Sequence, residues 1–149
     1  MKRFKGKVTL ITGGGKGIGF GLATAFAREG SNLVITGRNM ERLNSAKERL
    51  EKEWNVEVLP IVADGADEAA VKMVVGKAYE KFGRIDTLIN NAQASKSGLP
   101  LIEHSREDFD LAILSGIYGA FFYMRECFPY LKQTKGSVIN FASGAGLFG

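Results

Sequence analysis

The sequence is poor in the residues that build disulfides and metal sites. It contains one cysteine, Cys127, and one histidine, His104, among 149 residues. A single cysteine forms no internal disulfide, and a histidine flanked by Glu103 and Asp108 lacks the second strong ligand that a zinc site needs. We therefore expect no metal site, with Cys127 packed inside a helix and His104 at the start of a helix or on the surface.

Long apolar runs and charge of a single sign are also missing. No apolar run approaches the roughly 18 residues of a membrane-spanning helix, and the first residues lack the apolar segment and cleavage site of a signal peptide. The formal charge is +4, from 20 basic and 16 acidic residues, and no predicted helix carries a continuous basic stripe. These absences exclude membrane and nucleic-acid partners from our prediction and favour a cytoplasmic protein.

The chain alternates short β-rich runs with amphipathic helical segments. The predicted strands cover residues 7–12, 32–36, 56–62, 84–89 and 137–141. The first predicted helix places these residues on one face: Ile18, Leu22, Ala25 and Phe26. A long helix is predicted over 107–132, with a kink or an early end at Pro129. Strands joined by single helices run parallel, so we predict an α/β fold, a doubly wound parallel sheet with helices on both faces, as one domain over residues 1–149.

Glycines are concentrated where the first predicted strand meets the first helix. Residues 12–19 read TGGGKGIG, and glycines at this spacing allow a sharp turn and a close approach of the backbone to a ligand. The N–H groups that open the following helix favour a phosphate or pyrophosphate. A tight turn that binds nothing is the alternative for the loop taken alone. A triphosphate-binding P-loop is disfavoured, because no Lys-Ser or Lys-Thr pair follows Gly19.

The end of the second predicted strand indicates which dinucleotide is preferred. An acidic residue there would bind the ribose 2′-hydroxyl of NAD(H), but the sequence has Thr36, Gly37 and Arg38. An arginine pairs with a 2′-phosphate through forked hydrogen bonds, and Lys16 in the glycine loop adds a second positive charge. We therefore predict NADP(H) as the preferred cofactor and NAD(H) as the second choice, unless these cations are only solvated surface residues.

The chain resembles the short-chain dehydrogenase/reductase family over its whole length. The resemblance depends on the TGGGKGIG loop, on Asp64, on the INNA run at 89–92 and on Ser143 after the fifth predicted strand. It implies a Rossmann-type fold and these cofactor-binding residues: Gly13, Lys16, Gly17, Ile18, Gly19, Arg38, Asp64, Asn90 and Ala92. It also implies that Ser143 is the catalytic serine, whose hydroxyl hydrogen-bonds the substrate oxygen.

The resemblance gives several of these residues individual roles. The glycine loop is expected around the pyrophosphate and ribose, with Arg38 at the adenosine phosphate. Asp64 is expected beside adenine, although an Asx turn that opens the next helix explains the residue equally well. Asn90 and Ala92 are expected to stabilise the central sheet and to border the cofactor ribose.

Three features depart from the family pattern. Gln93 replaces the usual glycine of an NNAG run, and Ser115-Gly116 replaces the catalytic asparagine of many members, so the usual proton relay is in doubt. The family's Tyr-x-x-x-Lys pair is absent as well. The residues four positions after the tyrosines are Gly83, Phe122, Cys127 and Thr134. The resemblance therefore implies a dinucleotide-binding domain that is incomplete at its carboxyl end and inactive alone.

The function implied is that of an NADP(H)-dependent oxidoreductase, which transfers hydride between nicotinamide and a small carbonyl or alcohol substrate. The resemblance also implies that the full-length parent is a homo-oligomer. A non-catalytic nucleotide-binding or regulatory module is the alternative, and a Tyr-x-x-x-Lys pair further along the gene would discriminate against it. A methyltransferase that uses S-adenosylmethionine is weaker, because Arg38 has the wrong charge for an unphosphorylated ribose.

Overall fold

A parallel β-sheet organises the fold in the computed structural model, which describes residues 2–148. Within those residues five parallel strands form one sheet in the order β3-β2-β1-β4-β5. The strands are β1 (Val8–Ile11), β2 (Asn32–Gly37), β3 (Val58–Val62), β4 (Thr87–Asn90) and β5 (Ser137–Asn140). The main helices are α1 (Gly17–Arg28), α2 (Met40–Trp54), α3 (Glu68–Phe82), α4 (Arg106–Ala112) and α5 (Gly119–Thr134). The predicted fold class is confirmed.

The strand order reverses its direction at β1. The chain moves outward from β1 to β2 and β3, then returns to the other side of β1 with β4, where Ile11 is paired with Ile89. The helices on either side of this reversal lie on opposite faces of the sheet, so their connections separate at the carboxyl ends of the strands. In open α/β sheets this switch point leaves a crevice that binds ligands.

Alternate residues of the strands supply a core on each face of the sheet. Leu10, Val34 and Leu88 pack on one face with side chains of α3 and α5. Ile11 and Ile35 pack on the other face with side chains of α1 and α2. Because both faces are covered by helices, the central strands read as nearly continuous apolar runs, as expected of a parallel sheet.

The face of α1 that contacts the sheet differs from the prediction. The fully buried residues of α1 are Gly19, Ala23 and Ala27, which follow one another at intervals of a helical turn. Ile18 is 68% exposed and Ala25 is exposed as well, so the predicted apolar face of Ile18, Leu22, Ala25 and Phe26 is not the face that packs on the sheet. The physical reason is size, since small residues bring the helix backbone close to the sheet and leave Leu22 and Phe26 at the margin of the contact.

The predicted long helix is present as three consecutive helical segments. A π-helical segment, Ile113–Tyr118, joins α4 to α5, and the helical region runs from Arg106 to Thr134. The helix continues past Pro129, so the early end did not occur. π-helical turns inside α-helices are frequent at functional sites, and this one contains Ser115 and Gly116. No helix within residues 2–148 has both the length and the apolar character that spanning a bilayer requires.

Candidate dinucleotide-binding site

A cleft of about 720 Å³ opens at the carboxyl edge of the sheet, at the switch point. Its walls are formed by the carboxyl ends of β1, β2, β3 and β4 and the residues that follow them, together with residues of α4, the π-helical segment and α5. Every cofactor-binding residue implied by the sequence lines it, namely Gly13, Lys16, Gly17, Ile18, Gly19, Arg38, Asp64, Asn90 and Ala92. Residues far apart in the chain are therefore brought to one cleft, and their role in binding stays a prediction.

The glycine loop is folded tightly between the sheet and α1. Gly13 and Gly17 have φ angles of +68° and +53°, which residues with a Cβ rarely adopt. A Cβ added to Gly19 would lie 2.0 Å from the carbonyl oxygen of Gly13. Helix α1 and the loop thus touch backbone to backbone, a contact that only glycine permits.

The first turn of α1 is open to an anion. Its N-cap residue, Lys16, makes no side-chain capping hydrogen bond, whereas Asn39, Asp67 and Ser105 cap α2, α3 and α4 with their side chains. The first turn of α1 also contains no acidic residue. Free N–H groups and the positive end of the helix dipole therefore face the cleft, a donor set that fits a pyrophosphate.

Thr12 connects the glycine loop to the segment after β4. Its hydroxyl oxygen accepts hydrogen bonds from the backbone N–H groups of Asn91, at 3.0 Å, and Ala92, at 2.9 Å. The Asn91 side-chain amide donates in return to the Thr12 carbonyl oxygen at 3.1 Å. Both residues lie in motifs on which the family resemblance depends, but neither was predicted to have a role in the site. The signal available was a polar pair at the ends of two strands that a parallel sheet places side by side.

Thr12→Val is expected to lower the free energy of unfolding by about 2–4 kcal/mol. Valine has nearly the same shape but leaves two backbone N–H groups without an acceptor, at about 1–3 kcal/mol for each buried group. Urea unfolding followed by circular dichroism measures the effect, and Thr12→Ser, which keeps the hydroxyl, is the matched control. Equal unfolding free energies for the two variants would contradict this account of Thr12.

Three cations surround the end of the cleft that lies beside α2. Arg38, Arg42 and Lys16 all line the cleft, and none of them forms an ion pair with another residue in the part of the chain that the structure describes. Arg42 was not predicted. Asn39 caps α2 by accepting a hydrogen bond from the Arg42 N–H at 2.8 Å. This cap places Arg42 in the first turn of α2, close to Arg38.

Asp64 and Asn90 have structural partners as well as places in the cleft. The Asp64 carboxylate accepts a hydrogen bond from the Ala66 N–H at 2.9 Å, so the predicted Asx turn is present, but the next helix is opened by Asp67, the N-cap of α3. The Asn90 side-chain amide donates to the Asn140 side-chain oxygen at 2.8 Å and joins β4 to β5. The Asn90 side-chain oxygen is buried and has no hydrogen-bond partner among the described residues, which leaves it available to a ligand.

Ser143 lies near this edge of the sheet but outside the lining of the cleft. It is exposed, and its hydroxyl caps a short 3₁₀ helix, Gly144–Gly146, by accepting from the Ala145 N–H at 3.2 Å. That contact is the turn role expected of a loop serine. Its catalytic role remains a prediction.

Gln93 and the Ser115-Gly116 pair, which depart from the family pattern, meet at one wall of the cleft. A Cβ added to Gly116 would lie 3.5 Å from Cγ of Gln93. The Ser115 hydroxyl accepts from the Ala94 N–H at 2.9 Å and lies 2.9 Å from the Ala94 carbonyl oxygen and 2.7 Å from that of Leu111. Ser115 thus fixes the loop after β4 to the π-helical segment.

The single cysteine and the single histidine are both surrounded by residues that give them structural roles. Cys127 is fully buried, and burial raises the pKa of its thiol to about 12, so the predicted packing inside a helix is confirmed. His104 precedes α4, with its Nδ1 3.8 Å from Asp108, whose pKa is lowered first of all by the Ser105 backbone N–H. Among the described residues, no group of three or more His, Cys, Asp or Glu is placed to hold a metal ion.

A parallel sheet with a glycine loop and a cation-lined cleft at its switch point defines a Rossmann-type dinucleotide-binding domain. The chain matches the short chain dehydrogenase family over residues 7–149, and it belongs to that family. The relatives that it resembles are dehydrogenases and reductases, which are oxidoreductases.

The related proteins are longer than this chain. It is 59% identical over 155 residues to a 12α-hydroxysteroid dehydrogenase of a Clostridium species, an alignment that covers the whole of this chain and 60% of that protein. Its structure matches NAD⁺-bound xylitol dehydrogenase with a TM-score of 0.93 and 33% identity, over 99% of this chain and 57% of the other. It matches L-sorbose reductase from Gluconobacter frateurii, complexed with NADPH and L-sorbose, with a TM-score of 0.88 and 31% identity, over 94% and 54%. The chain therefore spans no more than 60% of these relatives.

Proposed function

We propose that this chain is the cofactor-binding part of an NADP(H)-dependent oxidoreductase. The observation that supports this most strongly is the backbone contact between Gly13 and Gly19 beneath an uncapped helix, at the switch point of a parallel sheet. Phosphate groups bind well at such a helix start because the N–H groups and the helix dipole act together. A regulatory module without catalysis would use the same cleft, but membership of an oxidoreductase family favours the enzyme.

The described residues suggest how the cofactor is held. The first turn of α1 and the glycine loop would bind the pyrophosphate. Asp64 would bind near the adenine, while the Asn90 side-chain oxygen and the Ala92 backbone, which line the same cleft, would border the ribose on the nicotinamide side. The preference for a 2′-phosphate is proposed from Arg38, Arg42 and Lys16, since guanidinium groups without ion-pair partners match a phosphate in charge and geometry.

The bound nicotinamide would supply or receive a hydride, and the protein would orient the reacting carbon and hold the substrate oxygen. We assign the second task to Ser143, which follows β5, the neighbour of β4 in the sheet. The first substrate class to test in a full-length protein is a hydroxysteroid, because the 12α-hydroxysteroid dehydrogenase named above shares 59% of its aligned residues with this chain. We also propose that the full-length protein to which this chain belongs is a homo-oligomer and that this chain is inactive alone.

Calorimetric titration of the purified chain with NADPH, NADH and S-adenosylmethionine tests the proposal. NADPH is expected to bind at least about tenfold more tightly than NADH, because hydrogen bonds to a charged group contribute about 1.5–3 kcal/mol. S-adenosylmethionine is the control and is expected not to bind. A folded sample that binds neither nicotinamide nucleotide would refute the function, whereas equal affinities would refute only the preference for NADP(H).

A further inference from the structure

Tyr123 carries a buried hydroxyl that the described residues leave without a hydrogen bond. The residue lies on α5, is 2% exposed and lines the cleft. Its hydroxyl oxygen makes no hydrogen bond of acceptable geometry within residues 2–148. The Thr36 side chain is close enough to lower its pKa as a weak hydrogen bond would, against the larger rise that burial causes. Buried side-chain polar atoms are partnered in the large majority of cases. The hydroxyl therefore calls for a partner that is not part of this chain.

The surroundings of Tyr123 belong to the adenosine end of the cleft. Its polar neighbours are Thr36, near the carboxyl end of β2, and Asp64, which follows β3. A Cβ on Gly65 would lie 3.9 Å from Cε2 of Tyr123, and a Cβ on Gly119 would lie 3.2 Å from the Gly65 carbonyl oxygen. Two glycines thus bring the loop after β3 into contact with α5. The phenol ring of Tyr123 lies at the bottom of the cleft, between that loop and the end of β2.

We propose that Tyr123 is a further cofactor-binding residue, whose hydroxyl donates a hydrogen bond to the adenine base, directly or through one water. The proposal rests on the function proposed above. Burial raises the pKa of Tyr123 to about 12, so the side chain is a neutral donor at physiological pH. Adenine presents ring-nitrogen acceptors, whereas the phosphates are placed at α1 and the arginines.

Tyr123→Phe removes the hydroxyl and keeps the ring. We expect this variant to be at least as stable as the wild type, because it loses a polar atom that has no partner in the free protein. Its affinity for NADPH and for adenosine 2′,5′-bisphosphate is expected to fall by about three- to tenfold, the effect of one neutral hydrogen bond. Tyr79→Phe is the matched control, since Tyr79 is 36% exposed and stacks on Tyr130 away from the cleft.

Calorimetry and thermal unfolding of wild type and both variants decide the matter. Weaker nucleotide binding by Tyr123→Phe with undiminished stability supports the proposal. Unchanged binding by Tyr123→Phe, while the wild type binds NADPH, overturns it and leaves the proposed function intact. A loss of stability in parallel with affinity also overturns it, because it indicates a structural role. Failure of the wild type to bind any nicotinamide nucleotide would instead refute the proposed function.

Discussion

Gly19→Ala is expected to abolish measurable binding of NADPH. The added Cβ would lie 2.0 Å from the carbonyl oxygen and 2.7 Å from the carbonyl carbon of Gly13, and 2.7 Å from the Asn91 side-chain nitrogen. Two of these three atoms belong to the backbone of the loop, so no change of side-chain rotamer removes the clash. Helix α1 and the glycine loop must move apart.

That movement separates the groups proposed to surround the pyrophosphate. A displacement of about 1 Å at a preorganised site costs on the order of 100-fold in function, and we expect an affinity loss of at least that size. The same clash should lower the free energy of unfolding by about 1–3 kcal/mol, as overpacking of a close contact does. Binding is measured by calorimetry and stability by urea unfolding.

Gly21→Ala is the matched control in the same helix. A Cβ at Gly21 meets no atom within 4 Å, and alanine in a helix interior is more stable than glycine by about 0.5–1 kcal/mol. This variant should therefore be more stable than the wild type and bind NADPH equally well. If Gly19→Ala behaved like Gly21→Ala, the backbone contact would not be the basis of the site.

Arg38→Ala is expected to weaken NADPH binding by about 10- to 100-fold and to leave NADH binding unchanged. The guanidinium has no ion-pair partner among residues 2–148, so its removal disturbs no other contact of that kind. The entire effect should then fall on the nucleotide that carries the 2′-phosphate. Arg42→Ala should change the same ratio in the same direction.

The ratio of the two dissociation constants is the quantity to measure, at low and high ionic strength. The preference for NADPH should decrease with added salt, because partly exposed charges are screened over about 10 Å at 0.1 M. Arg28→Ala is the control, since Arg28 is an exposed arginine at the far end of α1. Equal weakening of NADPH and NADH by Arg38→Ala would show that the arginine does not read the 2′-phosphate.

Strand and helix types were predictable because their signals are local. The β-rich run at 32–36 became β2 with one residue added, and the predicted strand at 56–62 became Val58–Val62. The face of α1 was not predictable from apolar periodicity. Its buried positions are filled by glycine and alanine, whose low hydrophobicity hides them from a pattern that weights large side chains.

The sequence by itself determined the alternation of strands and helices, hence a parallel sheet, and it placed a glycine loop after β1 and a cation after β2. Only the tertiary structure decided which side chains join them. Thr12 and Asn91 meet across 79 positions, Arg42 enters through the turn of α2, and Tyr123 enters through α5. The physical reason is that sequence periodicity reports which face of an element is apolar, whereas close packing between elements decides which polar atoms end as neighbours.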